Sequence, residues 1–380
     1  MARTIVSLGG IGFAITLMFM QLGFLGSVGD TATVVFNRMH GDLLVRSPDY
    51  LHLYDPAELP GEMPRWLESL PEVETAIPLD MGVTQWQHPD PANGSFRAIA
   101  IMGIDLQQPA FVLPDLKPAT IAQLQPPGTV LVDDASSKDF GPARGERFGP
   151  ADVGRRTDVA GRLARVEGTF TMGTGLAANG ALLASRETFT RLTPTRRGDA
   201  VSLVLVKLSP DVSPERGVQA VQQRINTLGG PAAYADAMTL QRAKSLERKR
   251  WYTQTPIGLI FAIGVALAVV VGGVISYLVL ASDVQSHLSE YATLKAMGYS
   301  NLFLVRTLLV QSTLLALLAY PPSLLVSCGL YELTGWLAGL PIRMTWSWIG
   351  LVLLLTLVMC NTAGMIALRK LLRAEPATLF

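Results

Sequence analysis

Three stretches of this chain exclude charge altogether: Ile5–Gly29 over 25 residues, Trp251–Ser282 over 32 and Met344–Leu368 over 25. The hydrocarbon core of a bilayer needs about 20 apolar residues of helix, so each stretch is long enough to cross one. A fourth run, Leu302–Tyr320, contains Arg306. Its eleven Leu, Phe and Val residues each favour insertion by about 0.3 to 0.6 kcal/mol, against about 2.5 to 3.5 kcal/mol for a central Arg, so the apolar side wins. Arg306 also stands near the start of the run, where its side chain can snorkel to the headgroups. The first run is longer than the roughly 7 to 15 residue core of a signal peptide and reads as a retained anchor.

Hydrophobic residues make up 49% of the chain and charged ones 16%, and this excess sits at the two ends. The expected fold class is an α-helical membrane protein with four transmembrane helices and a large α+β extracytoplasmic domain inserted between the first and second. The expected divisions are 1–29 for the first span, 30–252 for the domain, 253–282 for the second span and 283–301 for a cytoplasmic coupling helix. They continue with 302–340 for the third span with its outer loop, 344–368 for the fourth and 369–380 for a cytoplasmic tail. Four spans put both termini on one side. Arg369, Lys370 and Arg373 mark that side as cytoplasmic by the positive-inside bias. Arg242, Lys244, Arg248, Lys249 and Arg250 precede the second span on the opposite side, but loops longer than about 60 residues translocate largely regardless of charge.

The insert has strand-like segments at Ala98–Ile104, Thr129–Val132 and Val201–Leu208, separated by Pro and Gly clusters. Asn179-Gly180 reads as a tight hairpin turn. Pro214–Leu228 reads as a helix, with Ser213 as its cap, Val218, Val221 and Ile225 on one face and Gly229 at its end. A shorter helix is expected from about Pro64 to Leu70. Cys328 and Cys360 both lie in apolar runs, so no disulfide staples the insert.

Chemistry is sparse. No phosphate-binding loop is present, so Val130–Asp134 reads as an ordinary strand end and not as the acidic strand of an ATPase. Gly173 to Ala178 imitates a dinucleotide fingerprint, but Asn179-Gly180 follows where a helix is required. The four histidines show no metal-ligand spacing, and no catalytic cluster or cofactor site stands out. A net charge of +1 argues against a nucleic-acid partner.

Two features of the spans carry more. Gly264, Ala268, Gly272 and Ser276 recur every four residues, so small side chains line one face of the second span. That face fits packing against another span of the same chain or across a homodimer. Pro321-Pro322 interrupts the third run, where a kink or helix end is expected, and Trp336, Trp346 and Trp348 fall at the outer interface. Between the second and third spans, Val284, Leu288, Tyr291 and Leu294 share a helical face. Gly298 can close that helix and Ser300 can cap the next, which makes Ala296–Ser300 a stiff corner.

The stretch EYATLKAMGYSNLFLVRTLLVQSTLLALLAYPPSLLVS, Glu290 to Ser327, resembles the C-terminal permease module of FtsX and MacB-type ABC transporters. IGFAITLMFMQLGF at Ile11–Phe24, DVQSHLSEYATLKAMGYSN from Asp283 and the final LRAEPATLF more closely resemble the DevC family, permease subunits of glycolipid-type exporters. The resemblance implies a homodimer in the inner membrane of a Gram-negative-type bacterium, among membrane lipids. It also implies a separate ABC ATPase on the cytoplasmic face, and a periplasmic membrane-fusion adaptor leading to an outer-membrane channel. It assigns the ATPase contact to Asp283–Ser300, with Leu288, Glu290, Tyr291, Leu294, Lys295, Met297 and Gly298 as the contact residues. The chain itself is then expected to be non-catalytic. Family members carry a basic amphipathic stretch before the first span. Here Met1 to Thr4 precede Ile5, so either the start lies upstream or that helix is lost. Two rival expectations are an FtsX-like regulator of a cell-wall hydrolase and a lipoprotein-releasing permease.

Overall fold

A computed structural model of the chain describes residues 2–90, 94–108, 110–142, 146–173, 179–194, 196, 198–287, 290, 293–294, 297–338 and 342–373. The chain divides into two compact units, Met1–Val28 with Tyr252–Phe380, and Gly29–Trp251.

The first unit holds the long helices: α1 (Ala2–Ala32), α7 (Pro256–Ser286), α8 (Asn301–Ala338) and α9 (Trp346–Arg373). All four are long and apolar enough to cross a membrane. Thr255 caps α7 by accepting from the Gly258 amide at 3.2 Å, and Pro256 occupies the first helical turn, where its missing N–H costs nothing. The buried seam is built from Ile11, Ile15, Met18 and Phe19 of α1 with Ala268, Ala316, Tyr320, Val352 and Met359. Large side chains such as Leu267, Val270, Leu314, Leu325 and Leu354 point away from it, the distribution expected of helices solvated by lipid.

The third run does not end at its prolines: α8 is one helix of 38 residues with Pro321 and Pro322 inside it. Each proline removes one backbone donor. Packing holds the turn together, because Tyr320 donates to the Ile349 carbonyl of α9 at 2.6 Å and Ser323 to the Ala319 carbonyl at 2.7 Å. At about 1.5 Å per residue, α8 is about 57 Å long, well beyond a hydrocarbon core of about 30 Å.

Among the described residues the inserted domain is built on one nine-stranded sheet, ordered β3 (Phe96–Ile104), β7 (Ala181–Ser185), β4 (Thr129–Asp133), β6 (Arg162–Phe170), β5 (Arg156–Val159), β2 (Val73–Gln87), β8 (Leu203–Leu208), β1 (Leu43–Arg46) and β9 (Asp236–Thr239), with β2 also pairing β3. One part contains β1 (Leu43–Arg46), α2 (Met63–Glu68), β2 (Val73–Gln87), β8 (Leu203–Leu208), α5 (Pro214–Asn226) and β9 (Asp236–Thr239). Its strands lie in the order β9-β1-β8-β2 with every neighbour antiparallel, which is the βαββαβ topology of ferredoxin-like folds. Met63 and Leu67 of α2 and Val221 and Ile225 of α5 bury against Val45, Val204 and Val206. Ser213 accepts from the Arg216 amide at 3.4 Å to start α5.

The second part is inserted between β2 and β8. It contains β3 (Phe96–Ile104), β4 (Thr129–Asp133), β5 (Arg156–Val159), β6 (Arg162–Phe170) and β7 (Ala181–Ser185), with the helices α3 (Pro118–Ala122) and α4 (Arg186–Leu192). The 15 residues of β2 serve both parts. Val73–Leu79 pairs with β8, Leu79–Gln87 pairs with β3, and Trp86 opposite Val159 of β5 closes a six-stranded ring. Trp86, Phe140, Phe148 and Phe189 fill one of its cores.

Asn179-Gly180 is not a hairpin turn. β6 and β7 flank β4 on opposite sides instead of pairing with each other, and neither residue has a positive φ. Gly180 lies against the Phe140 ring, where a side chain would collide at 3.0 Å. The two-residue hairpin lies between β5 and β6, at Ala160-Gly161, with φ of 52° and 77°. Both central residues of that turn type need positive φ, which alanine adopts at a cost.

Candidate functional site

Four places among the described residues bind elements together through polar or close contacts. In the membrane unit, the small-residue face of α7 is occupied within the chain. A methyl at Gly264 would meet the Gln21 amide, and one at Gly272 would lie 2.7 Å from Ala14 Cβ as well as against Met359. Ala268 is buried, and Ser276 is fully buried with its hydroxyl 3.6 Å from Cys360 Sγ. These four residues therefore let α1 and α9 approach α7 closely within the chain. Polar links reinforce the bundle, since Ser312 and Thr313 of α8 donate to Asn361 Oδ1 of α9 at 2.7 and 3.2 Å.

The connection between α7 and α8 forms the second place. Asp283, near the end of α7, accepts from Gln311 of α8. His287 Nδ1 lies 3.0 Å from the Asp283 carbonyl, and that hydrogen bond, with the Asp283 charge, raises the imidazole above its usual 6.5. Glu290 is exposed and its amide donates to the His287 carbonyl at 3.1 Å. Leu294 is half-buried; its carbonyl accepts from the Tyr299 amide at 3.1 Å across Gly298, whose φ is +90°. This is the six-residue closure of a helix end that favours glycine. Ser300 Oγ then accepts from the Phe303 amide at 3.3 Å, and the Tyr299 and Phe303 rings lie 4.8 Å apart. The corner leaves Met297, Tyr299, Leu302 and Phe303 exposed. Leu288, Tyr291 and Lys295 lie outside the described residues.

The third place is α6 (Leu240–Thr253), the helix that precedes α7 with only Gln254 and Thr255 between them. Its sequence is highly charged, and among its side chains Ala243 and Glu247 are buried. Glu247 is 3% exposed. Its carboxylate accepts from Tyr50 Oη at 2.7 Å, the Leu53 amide at 3.2 Å and Trp251 Nε1 at 3.1 Å. Burial first, and then the Glu247 charge, push the Tyr50 hydroxyl well above its usual 10.0. Tyr54 is raised for the same reasons, with Asp133 adding to them. Withdrawing the donors would strand a buried charge at a cost of roughly 3 to 5 kcal/mol. Basic residues of this stretch also have partners. Arg248 pairs with Asp30 at 3.1 Å, Lys244 donates to Asn37, and Arg250 reaches the Tyr50 carbonyl at 3.5 Å. Sequence reasoning missed Glu247 and its Tyr50 partner. The one signal was a lone acid in a run of bases.

A buried charge cluster also pins the join between the two parts of the inserted domain. Asp80, 1% exposed, stands where β2 changes partners. It accepts from Arg186 Nε at 2.9 Å and Arg196 Nη2 at 2.7 Å. Burial lowers the Arg196 guanidinium despite the Asp80 charge beside it. Asp133 closes the end of β4, its Oδ1 accepting from the Ala135 and Met172 amides, as befits a strand end. Among the described residues, no group of three or more His, Cys, Asp or Glu could hold a metal ion. Of the fingerprint-like segment, residues 174–178 lie outside the described residues.

Residues 258–376 match the FtsX-like permease C-terminal family. A search of curated protein sequences gives no match. Among solved structures, the chain is similar to the periplasmic region of MacB from Actinobacillus actinomycetemcomitans. The identity is 12% and the TM-score 0.39, over 55% of this chain and 93% of that one. It is also similar to the extracellular domain of the noncanonic ABC-type transporter YknZ from Gram-positive bacteria. There the identity is 11% and the TM-score 0.37, over 52% and 98% of the two chains.

Proposed function

We propose that this integral membrane protein is the permease subunit of a MacB-like ABC exporter, of the DevC type, and that it transmits force without catalysing a reaction. A separate ATPase closes on ATP and displaces the 283–300 connection, the attached spans tilt, and the inserted domain moves on the far side of the membrane. In this reading the domain is periplasmic, both termini are cytoplasmic, and two copies work together with a membrane-fusion adaptor and an outer-membrane channel. The cargo is a lipid or glycolipid driven onward through the adaptor and not between the four spans.

The observation that carries this reading is the family match over 258–376, which includes the corner closed at Gly298 and capped at Ser300. A corner held by backbone closure, a cap and the Asp283–Gln311 link transfers displacement to both helices, where a flexible tether would absorb it. Its exposed Met297, Tyr299, Leu302 and Phe303 suit an apolar groove on a partner.

Substitutions at Glu290, Tyr291 and Gly298 in the reconstituted complex, read as transport-stimulated ATP hydrolysis, test the assignment. Loss of stimulation is expected, and unchanged stimulation contradicts it. Co-purification separates export from the rivals. An adaptor and channel on the domain support export, a hydrolase or its activator supports a regulator, and a cross-linked lipoprotein supports a lipoprotein-releasing permease.

A further inference from the structure

We propose that Glu247 is a positioning residue that latches α6 onto the Tyr50–Tyr54 loop, so that displacement of α7 is delivered to the inserted domain. The inference rests on the force-transmitting function proposed above and assigns a contact through which displacement of α7 enters the domain, beside the covalent entry through α1. α6 is the one element of the domain that leads directly in sequence into α7, so a pull on α7 reaches α6 first. Whether the domain follows depends on how α6 is held.

The hold is polar where most helix docking is apolar. With Ala243 buried and Leu240 partly buried as its contacts with the core, α6 offers little apolar surface, and Glu247 supplies the directional attachment. Its two oxygens take three donors. Tyr50 Oη and the Leu53 amide come from the loop after β1, and Trp251 Nε1 comes from one turn further along α6, next to the exit toward α7. The loop is itself fixed. Arg46 of β1 stacks over the Tyr50 ring at 4.8 Å, and Arg250 of α6 reaches the Tyr50 carbonyl. The His52 and Trp251 rings, 6.3 Å apart, meet beside it. Hydrogen bonds to a charged, buried acceptor are short-ranged and directional, so the latch resists sliding and turning of α6 more than a greasy contact would.

The test is hydrogen exchange on the full chain with its partner ATPase in lipid nanodiscs, with and without ATP, for wild type, Glu247→Ala, Glu247→Gln and Tyr50→Phe. In Glu247→Ala the Leu53 amide is expected to exchange at least about tenfold faster, because its acceptor is gone. The ATP-dependent change at 297–303 is expected to persist while that in the inserted domain disappears. Glu247→Gln and Tyr50→Phe, which preserve shape and the fold, are expected to fall between. Equal ATP responses of the domain in wild type and in all three variants would overturn the latch while leaving the proposed function intact. A wild-type domain that ignores ATP would overturn both.

Discussion

Tyr331 donates its phenolic hydrogen to the backbone carbonyl of Phe19, which ties α8 to α1 inside the membrane unit. The ring lies against Gly23, where any side chain would overlap it. An interhelical hydrogen bond in a bilayer contributes about 0.6 kcal/mol on average and about 1.7 kcal/mol at most. Tyr331→Phe is therefore expected to lower thermal stability in nanodiscs slightly. Gly23→Leu, which displaces the ring and overpacks the seam, is expected to cost about 1 to 3 kcal/mol. A thermal melt followed by helical circular dichroism ranks the two.

Glycines on different faces of the spans should respond in opposite ways. At Gly272 a larger side chain meets Ala14 and Met359, whereas nothing lies within 4 Å of the position a methyl would take at Gly350. Gly272→Leu is expected to destabilise by about 1 to 3 kcal/mol. Gly350→Ala is expected to be neutral or to stabilise by up to about 1 kcal/mol through helix propensity. Equal effects in the same melt would contradict the packing of α7 against α1 and α9.

Asp80 holds two arginines at the join of the inserted domain, and Arg196 has a side chain only 8% exposed. Asp80→Ala removes the carboxylate nearest to the buried Arg196 guanidinium and is expected to cost roughly 3 to 5 kcal/mol. Proteolysis should then cut first near 193–203, and a protection pattern identical to wild type would refute this.

The tyrosines around Glu247 set an alkaline limit. Tyr50 and Tyr54 are raised in the folded chain above their unfolded value of 10.0, so the folded state resists ionisation that the unfolded state accepts. Stability from this source is intact below pH 10 and is lost as pH climbs through the folded values. Thermal stability should be level with respect to these groups up to about pH 10 and fall above it, with a weaker fall in Tyr50→Phe. Phenolate absorbance reads the same ionisation directly.

What could be read from the sequence was whatever depends on a continuous segment. The three charge-free runs and the apolar run around Arg306 announce the four long helices, and Ser213, Pro214 and the Val221–Ile225 spacing announce α5. What could not be read depends on residues far apart or on packing. Glu247 and Tyr50 are separated by 197 positions, and Asp80 and Arg196 by 116. Ala160-Gly161 lacks the asparagine or aspartate that usually signals its turn, while Asn179-Gly180 carries the signal without the turn. The prolines of α8 are weak predictors for a similar reason, since contacts from α9 outweigh two missing donors.

The most direct measurement is sidedness. In a background where Cys328 and Cys360 are replaced by serine, single cysteines are placed at Met297 in the corner and at Ser69 in the inserted domain. Each is then labelled in intact cells with a membrane-impermeant thiol reagent. The account predicts that Ser69→Cys is labelled and Met297→Cys only after lysis. Labelling of both from the same side would contradict transmission of force across the membrane.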